Sequence, residues 1–431
     1  MTSSTADIDT TTDENPETGS GEGEGRRLLS EGRITPEGVQ KMRDLMHVEL
    51  RRPFILNTEL NFDAVRRFCW GVGDDNPLWL DHEHAKASAY GMPVTPQDLL
   101  YTTHPTYVQV GLPGVHGLHA GTSWKLFAPV PVGTRPDVIC WLDRIEERES
   151  QLAGPSVWVY FKTVYADQHG RVLAEATSYS IRSERARSRK RGKESAKREM
   201  KVWDADEIAA VEERILARSR RGSEDRRWED VEVGDQLDEL LKGPLCSTDM
   251  IAWYGGSVPV YQPAHELALR HYRRHPKWAF RNPVIGVLEP NIRVHENIDA
   301  ARSSGLAGPY DVGIQRHQWA FQAMYDWAGD NSFLKACSGQ FRGMNYFGDL
   351  TTFAGSVVAK RVDEDGDHVV DIEWAATNQR GETTMPGTAT IALPSSARGN
   401  AVAGPASRVV TREDYLAANV PNLVRLPGVA T

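Results

Sequence analysis

The chain is poor in features that decide function at sight. Its four cysteines, Cys69, Cys140, Cys246 and Cys337, lie far apart and form no CxxC pair. That spacing offers neither a disulfide framework nor a structural zinc, and it fits a reducing, cytoplasmic setting. No apolar run is long enough to cross a bilayer. Positive charge is not in excess: the formal net charge is −9, which disfavours general attraction to nucleic acid or anionic lipid. The first 25 residues almost lack large apolar side chains and the basic-then-apolar order of a secretory signal. They read as a disordered acidic tail. One basic stretch runs against the trend, with nine Arg or Lys in residues 182–198. Without interleaved aromatics it reads as a solvated linker.

What is present is ordinary in composition, with 40% hydrophobic and 25% charged residues, and long enough for two or three domains. It also repeats itself. Asn61–Trp79 lies over Ser247–His265 at a constant offset, 265 − 79 = 186. Each copy opens on a helix-capping residue followed by an acid in the first turn, continues with apolar residues at helical spacing, and runs through a glycine turn to Asn-Pro or Gln-Pro. Further on, Gly133 and Gly348 end matching segments at 348 − 133 = 215. The turns at Gly170 and Gly381 match at 381 − 170 = 211. Strands rich in β-branched and aromatic residues flank these turns: Val157–Tyr165 and Val172–Ile181, then His368–Ala376 and Thr383–Leu393.

Between the early helix and the strands each half is expected to hold a longer helix. One is capped by Thr95 with Pro96 at its first position and stopped by Pro105. The other opens at Gly313, with Ala320, Phe321, Met324 and Ala328 on one face. Such helices must bury their apolar faces on the sheets, which gives an α+β layer and an internal pseudo-dimer joined sheet edge to sheet edge. Residues 269–308 are an insertion found only in the second half. The expected organisation is an acidic tail at 1–45 and a first domain at 46–183. A basic linker and bridging helix follow at 184–227, then a second domain at 228–396 and a tail at 397–431.

Gly73-Asp74-Asp75-Asn76-Pro77-Leu78-Trp79 resembles the Gly-Asp-x-Asn-Pro-x-His signature of MaoC-like enoyl-CoA hydratases. Asp81, Ala85, Tyr90-Gly91, Gly111–Gly121 and Phe127–Gly133 continue the resemblance. The wider pattern is similar to double hot-dog dehydratases with an N-terminal MaoC dehydratase domain, over roughly residues 46–183 and 228–395. The resemblance implies a tandem hot-dog fold, an antiparallel sheet wrapped around a long central helix in each half. It also implies an acyl thioester ligand, usually CoA-linked, and reversible addition of water across a 2-enoyl double bond. This chemistry calls for no metal or cofactor. It needs a carboxylate and an imidazole to move the proton, and a backbone N–H at a helix N-terminus to hold the enolate oxygen.

The chain departs from the family pattern by splitting it. The first half has Asp74 at the acid position and Asn76 at the loop-holding position, but Trp79 where the imidazole belongs. Trp79 is expected as a wall of the acyl pocket, and Gln97 as the N–H donor, because Pro96 has none. The second half has His265 at the imidazole position and Gly313 at the helix opening, but Val260 where the acid belongs. Tyr261 and Arg316 are candidates to face the cavity. Three readings stay open. Asp74 works with His116 or His119; His265 works with a substitute carboxylate such as Asp311; or the two loops cooperate across the interface, which is ranked last. An acyl-thioester-binding protein without catalysis, a partner subunit and a thioesterase are the alternatives. No nucleic-acid or membrane partner is expected; a homo-oligomer of pseudo-dimeric chains is.

Overall fold

The computed structural model describes residue 29 and residues 31–52, 55–150, 154–184, 199–257, 263–402 and 410–426. The first half supplies β1 (His116–Leu126), β2 (Asp137–Ser150), β3 (Gly154–Ala166) and β4 (Val172–Ser183). The second begins with a short β5 (Leu240–Lys242) and carries a hairpin of β6 (Ala279–Arg281) and β7 (Leu288–Pro290) inside its insertion. It then supplies β8 (Phe333–Gln340), β9 (Thr351–Val362), β10 (His368–Asn378) and β11 (Thr383–Ala392). One nine-stranded sheet runs β2-β3-β4-β1-β8-β11-β10-β9-β5, and its pairings are antiparallel.

The order is symmetric about the β1–β8 junction. Ser123 pairs with Ser338 there, and 338 − 123 = 215 is the offset separating Gly133 from Gly348 in the sequence. The pseudo-dyad therefore passes through a residue and its own repeat. This is a tandem hot-dog fold of α+β class, and the shared edge leaves neither β1 nor β8 exposed. On the helical side, helix Phe62–Val72 packs on its counterpart Ser247–Gly256. A Cβ at Gly256 would stand 2.1 Å from the Arg67 carbonyl oxygen, so only glycine allows the two backbones this close.

The central helices differ from the expectation of one long helix per half. The second half has it, Gly313–Ala328, with every residue but Gly313 and Tyr325 buried. The first half has only a 3-10 helix, Gln97–Thr102. The Thr95 hydroxyl bonds the Pro96 carbonyl instead of capping. The Thr102 and Thr103 hydroxyls turn back on the carbonyls of Leu99 and Leu100 at 2.7 and 2.8 Å. These back-bonds compete with helix propagation, and Pro105 closes it off. The two helices run antiparallel: Gln97 meets Tyr325, and Tyr101 meets His317.

Both expected tails contain structured parts. Within 1–45, helix Pro36–Arg43 buries Val39 and Met42 against Leu112, Cys140 and Leu142. Within 397–431, helix Arg412–Asn419 returns to the first half and packs Tyr415 and Leu416 on Ile139, Trp141 and Val164. The bridging helix is Ala205–Leu216, opened by an Asp204–Glu207 capping box. Of the basic run, residues 185–198 lie outside the described residues. No helix among the described residues is long and apolar enough to cross a membrane.

Candidate active site

The antiparallel helices put their two N-terminal ends, one from each half, at opposite ends of the pair. The first is built by the motif loop. Helix Phe62–Val72 stops at Gly73 in the left-handed region, φ 69°. The Asp74 carboxylate then accepts from the Asn76 N–H at 3.2 Å, and the Asn76 side chain accepts from the Leu78 N–H at 3.0 Å, with Pro77 opening the next turn. This is Asx-turn chemistry running into an N-cap.

What faces Asp74 is not an imidazole. Arg218 and Arg220 lie 3.5 and 3.7 Å from its carboxylate. Arg218 also pairs with Asp326 of the long helix at 2.9 Å, and Arg220 with Asp75. Lys242 donates to the carbonyls of Val72 and Gly73 at 2.7 and 3.0 Å, capping the helix terminus. Burial drives Asp326 up to about 6, with the Asp74 charge adding to it and the arginines opposing. Burial brings Lys242 down to about 8. Trp79 is buried edge-on against Tyr325, ring centroids 5.2 Å apart. The Gln97 N–H, the expected oxyanion donor, is bonded to the Tyr325 hydroxyl at 3.2 Å. Asp98 beside it is buried, which pushes its carboxyl well above the usual range. At this end the opening N–H and the Asp74 carboxylate are both engaged, while Trp79 Nε1, Gln97 Nε2 and Asp98 Oδ1 are buried without partners among the described residues.

The second end is differently furnished. The long helix opens after Val312 with no side-chain cap, and the Gly313 N–H has no acceptor among the described residues. The positive end of sixteen aligned peptide units thus carries no side-chain cap. Over it lies the Phe341 ring, 3.0 Å from where a Gly313 Cβ would stand. The same ring borders His119 and His317, centroids 4.8 and 6.4 Å away. His119 comes from β1 of the first half and also lies against Tyr107. Burial takes both imidazoles down to about 3, the Gly121 carbonyl partly opposing at His119 and the nearby His119 adding to the effect at His317. Both rings are therefore neutral across the physiological range. His119 Nδ1, His317 Nε2 and both polar atoms of the Gln315 amide are buried without partners among the described residues.

The remaining predicted residues are placed as follows. His265 begins helix His265–Arg274 in a left-handed conformation, φ 51°, exposed to solvent. Asp311 is not available to it: both Asp311 oxygens are held by Arg316, at 2.5 and 2.7 Å, and Asn345 reaches the same carboxylate. Arg316, expected to face the cavity, spends its other nitrogen on the Gly343 and Thr384 carbonyls. The pair is a buried tie between the helix and the strands. His116 opens β1, half-buried. Tyr261 and Val260 lie outside the described residues. A close carboxylate–imidazole pair that the sequence did not suggest is His84 with Asp330 at 2.7 Å, tying the two halves together. The sequence reading also passed over His317. Its signal was position: it lies one helical turn after Gly313, on the helix whose opening was already of interest. One acidic group has metal-like spacing, Asp363, Asp365 and Asp367 in the β9–β10 turn. Lys335 lies among these carboxylates, 3.0 and 2.9 Å from Asp365 and Asp367, and supplies the positive charge there.

Comparison with known proteins agrees with this architecture. Residues 56–176 match the family model of the FAS1-like dehydratase domain region. A solved structure of a MaoC-like dehydratase superposes with a TM-score of 0.54 at 14% identity, covering 80% of this chain and 97% of that one. A MaoC domain protein dehydratase from Chloroflexus aurantiacus J-10-fl gives 0.48 at 13%, covering 79% and 94%. A MaoC-like dehydratase from Phytophthora capsici gives 0.45 at 12%, covering 83% and 99%. No curated protein sequence matches the chain. The first superposition shows that the chain shares the fold of that MaoC-like dehydratase.

Proposed function

We propose that the chain is a hydratase or dehydratase of enoyl thioesters, adding water reversibly across a 2-enoyl double bond of a CoA-linked acyl group. The chemistry is assigned to the N-terminal end of helix Gly313–Ala328. One observation carries the reading: an uncapped helix N-terminus whose Gly313 N–H has no acceptor among the described residues, with the Phe341 ring bordering both it and the His119 imidazole. An enolate oxygen needs a fixed donor that costs no reorganisation when charge develops, and a helix N-terminus supplies one. A neutral imidazole can accept the proton of the attacking water. The first end offers neither, because Tyr325 holds its N–H and arginines hold its carboxylate. The reading needs no metal or cofactor. The likeness of the fold to a MaoC-like dehydratase supports it.

Binding without turnover is the second reading, favoured by the separation of Asp74 from any paired imidazole and of His265 from any paired carboxylate. The test is a panel of enoyl-CoA esters of increasing bulk, followed by loss of enone absorbance. Turnover supports the hydratase. Calorimetric binding with no turnover on any ester supports the binding protein, and release of free thiol supports a thioesterase.

A further inference from the structure

We propose that His119 and His317, one from each half, form the proton-transfer pair of the Gly313 end, set as acceptor and donor by hydrogen bonds that fix their tautomers. The proposal rests on the thioester reading and goes beyond it in naming the pair and its wiring.

A chain of hydroxyls leads away from His119. Its Nε2 lies 2.7 Å from Thr122 Oγ1, which lies 2.8 Å from Ser178 Oγ, which lies 2.5 Å from Thr106 Oγ1. Thr106 Oγ1 in turn donates to the Pro105 carbonyl at 2.5 Å. A carbonyl can only accept and each hydroxyl has one proton to give. The chain therefore runs one way: His119 Nε2–H to Thr122, Thr122 to Ser178, Ser178 to Thr106, Thr106 to Pro105. This places the His119 proton on Nε2 and leaves a lone pair on Nδ1, the atom that is buried with no partner. The anchor of the chain is strained. Thr106 is β-branched yet has φ 66°, a conformation that persists only where the surroundings insist on it. Here its N–H is bonded to His104 Nδ1 at 3.1 Å and its hydroxyl to the chain.

His317 is wired the other way. Its Nδ1 lies 2.9 Å from the Tyr101 hydroxyl. Tyr101 is fully buried, and burial keeps its phenol protonated, so the hydroxyl donates to Nδ1. The His317 proton then sits on Nε2, which is also buried without a partner. Buried polar atoms are bonded in the great majority of cases. One unpartnered acceptor and one unpartnered donor border the same Phe341 ring, and in the proposed arrangement a polar ligand atom sits between them. The rings of Tyr107 and Phe341 lie against His119.

The step balances without another reactant. As the water oxygen bonds to C3, one water O–H breaks and its proton goes to His119 Nδ1. The electron pair of the double bond moves to the thioester oxygen, held by the Gly313 N–H. The imidazolium then returns the proton to C2 and the carbonyl re-forms. His317 Nε2–H holds the oxygen that becomes the 3-hydroxyl and keeps its own proton throughout.

Nitrogen-15 spectra of the imidazole-labelled full chain test the wiring, with signals assigned through His119→Gln and His317→Gln. Both rings are expected neutral and protonated on Nε2. Ser178→Ala is expected to move part of the His119 proton to Nδ1, and Tyr101→Phe to do so at His317. His119→Gln and His317→Gln are each expected to lower kcat on an enoyl-CoA by about a hundredfold or more. A proton on His119 Nδ1 in the wild-type spectrum overturns the proposal. So does an active wild type whose two glutamine variants both keep kcat within about threefold, and that result leaves the thioester reading standing. A wild type that hydrates no enoyl-CoA sinks the thioester reading instead, and the pair's proton-transfer role with it.

Discussion

At one end of the paired helices the chain opens on Pro96, and the first N–H after it, from Gln97, is bonded to Tyr325. At the other end it opens on Gly313, and that N–H has no acceptor among the described residues. Beside the first lie a carboxylate matched to arginines and a tryptophan filling the imidazole position. Beside the second lie neutral imidazoles with unspent nitrogens. Duplication gave both ends the same framework. Both ends keep buried polar atoms without partners among the described residues, Trp79 Nε1, Gln97 Nε2 and Asp98 Oδ1 at the first and ring nitrogens of His119 and His317 at the second. The ends differ in the opening N–H, which is bonded at one and has no acceptor among the described residues at the other.

The comparison can be broken most sharply at the helix opening. Gly313→Pro writes into the second half what Pro96 is in the first. Proline suits the first position of a helix but has no N–H. Measured against Gly313→Ala, which controls for the crowding at Phe341, it is expected to lower kcat by about a hundred- to a thousandfold, the usual effect of losing an oxyanion donor. Equal rates for the two variants would mean that this N–H is idle.

The next effect belongs to the opposite end. Arg218→Ala leaves Asp74 and Asp326 buried near one another with only Arg220 between them. Removing one partner of a buried pair should cost roughly 3 kcal/mol, read from urea unfolding. A loss below about 0.5 kcal/mol would deny that this end is a structural junction.

Acid should weaken the imidazole-rich end. Burial holds His104 and His317 down to about 3, against 6.5 for a free imidazole. Between these values the unfolded chain binds protons that the folded chain refuses, so stability falls as pH drops below 6.5. At pH 5 the loss is roughly 2 kcal/mol for each of the two. Urea midpoints at pH 7 and pH 5 check this, and unchanged midpoints would contradict it. The smallest effect is expected from Asp74→Asn, about 1 kcal/mol of stability and a fall in kcat well short of that of Gly313→Pro. A hundredfold fall in kcat for Asp74→Asn would reverse the assignment of the two ends.

Much of the fold was legible because duplication leaves arithmetic behind. The offset between Gly133 and Gly348 recovers the Ser123–Ser338 pairing at the dyad. The caps at Asn61 and Asp204 form as their side-chain types dictate. The first central helix is shorter than apolar periodicity predicts, because that pattern carries no trace of the threonine back-bonding at Thr102 and Thr103. The site was legible only in part. Gly313 stood out by its position, but Asp311 and Arg316 could not be recognised as partners until folding brought both of the carboxylate's oxygens to the guanidinium. His317 was hidden because its counterpart groups come from the other half. Motif spacing works within one loop, whereas this arrangement is made by two helices running antiparallel.

The most direct measurement is a crystal structure with a non-reactive acyl-CoA analogue bound. The account predicts the thioester oxygen on the Gly313 N–H, with the reacting carbons facing His119. A thioester oxygen seated on the Gln97 N–H beside Asp74 would contradict it.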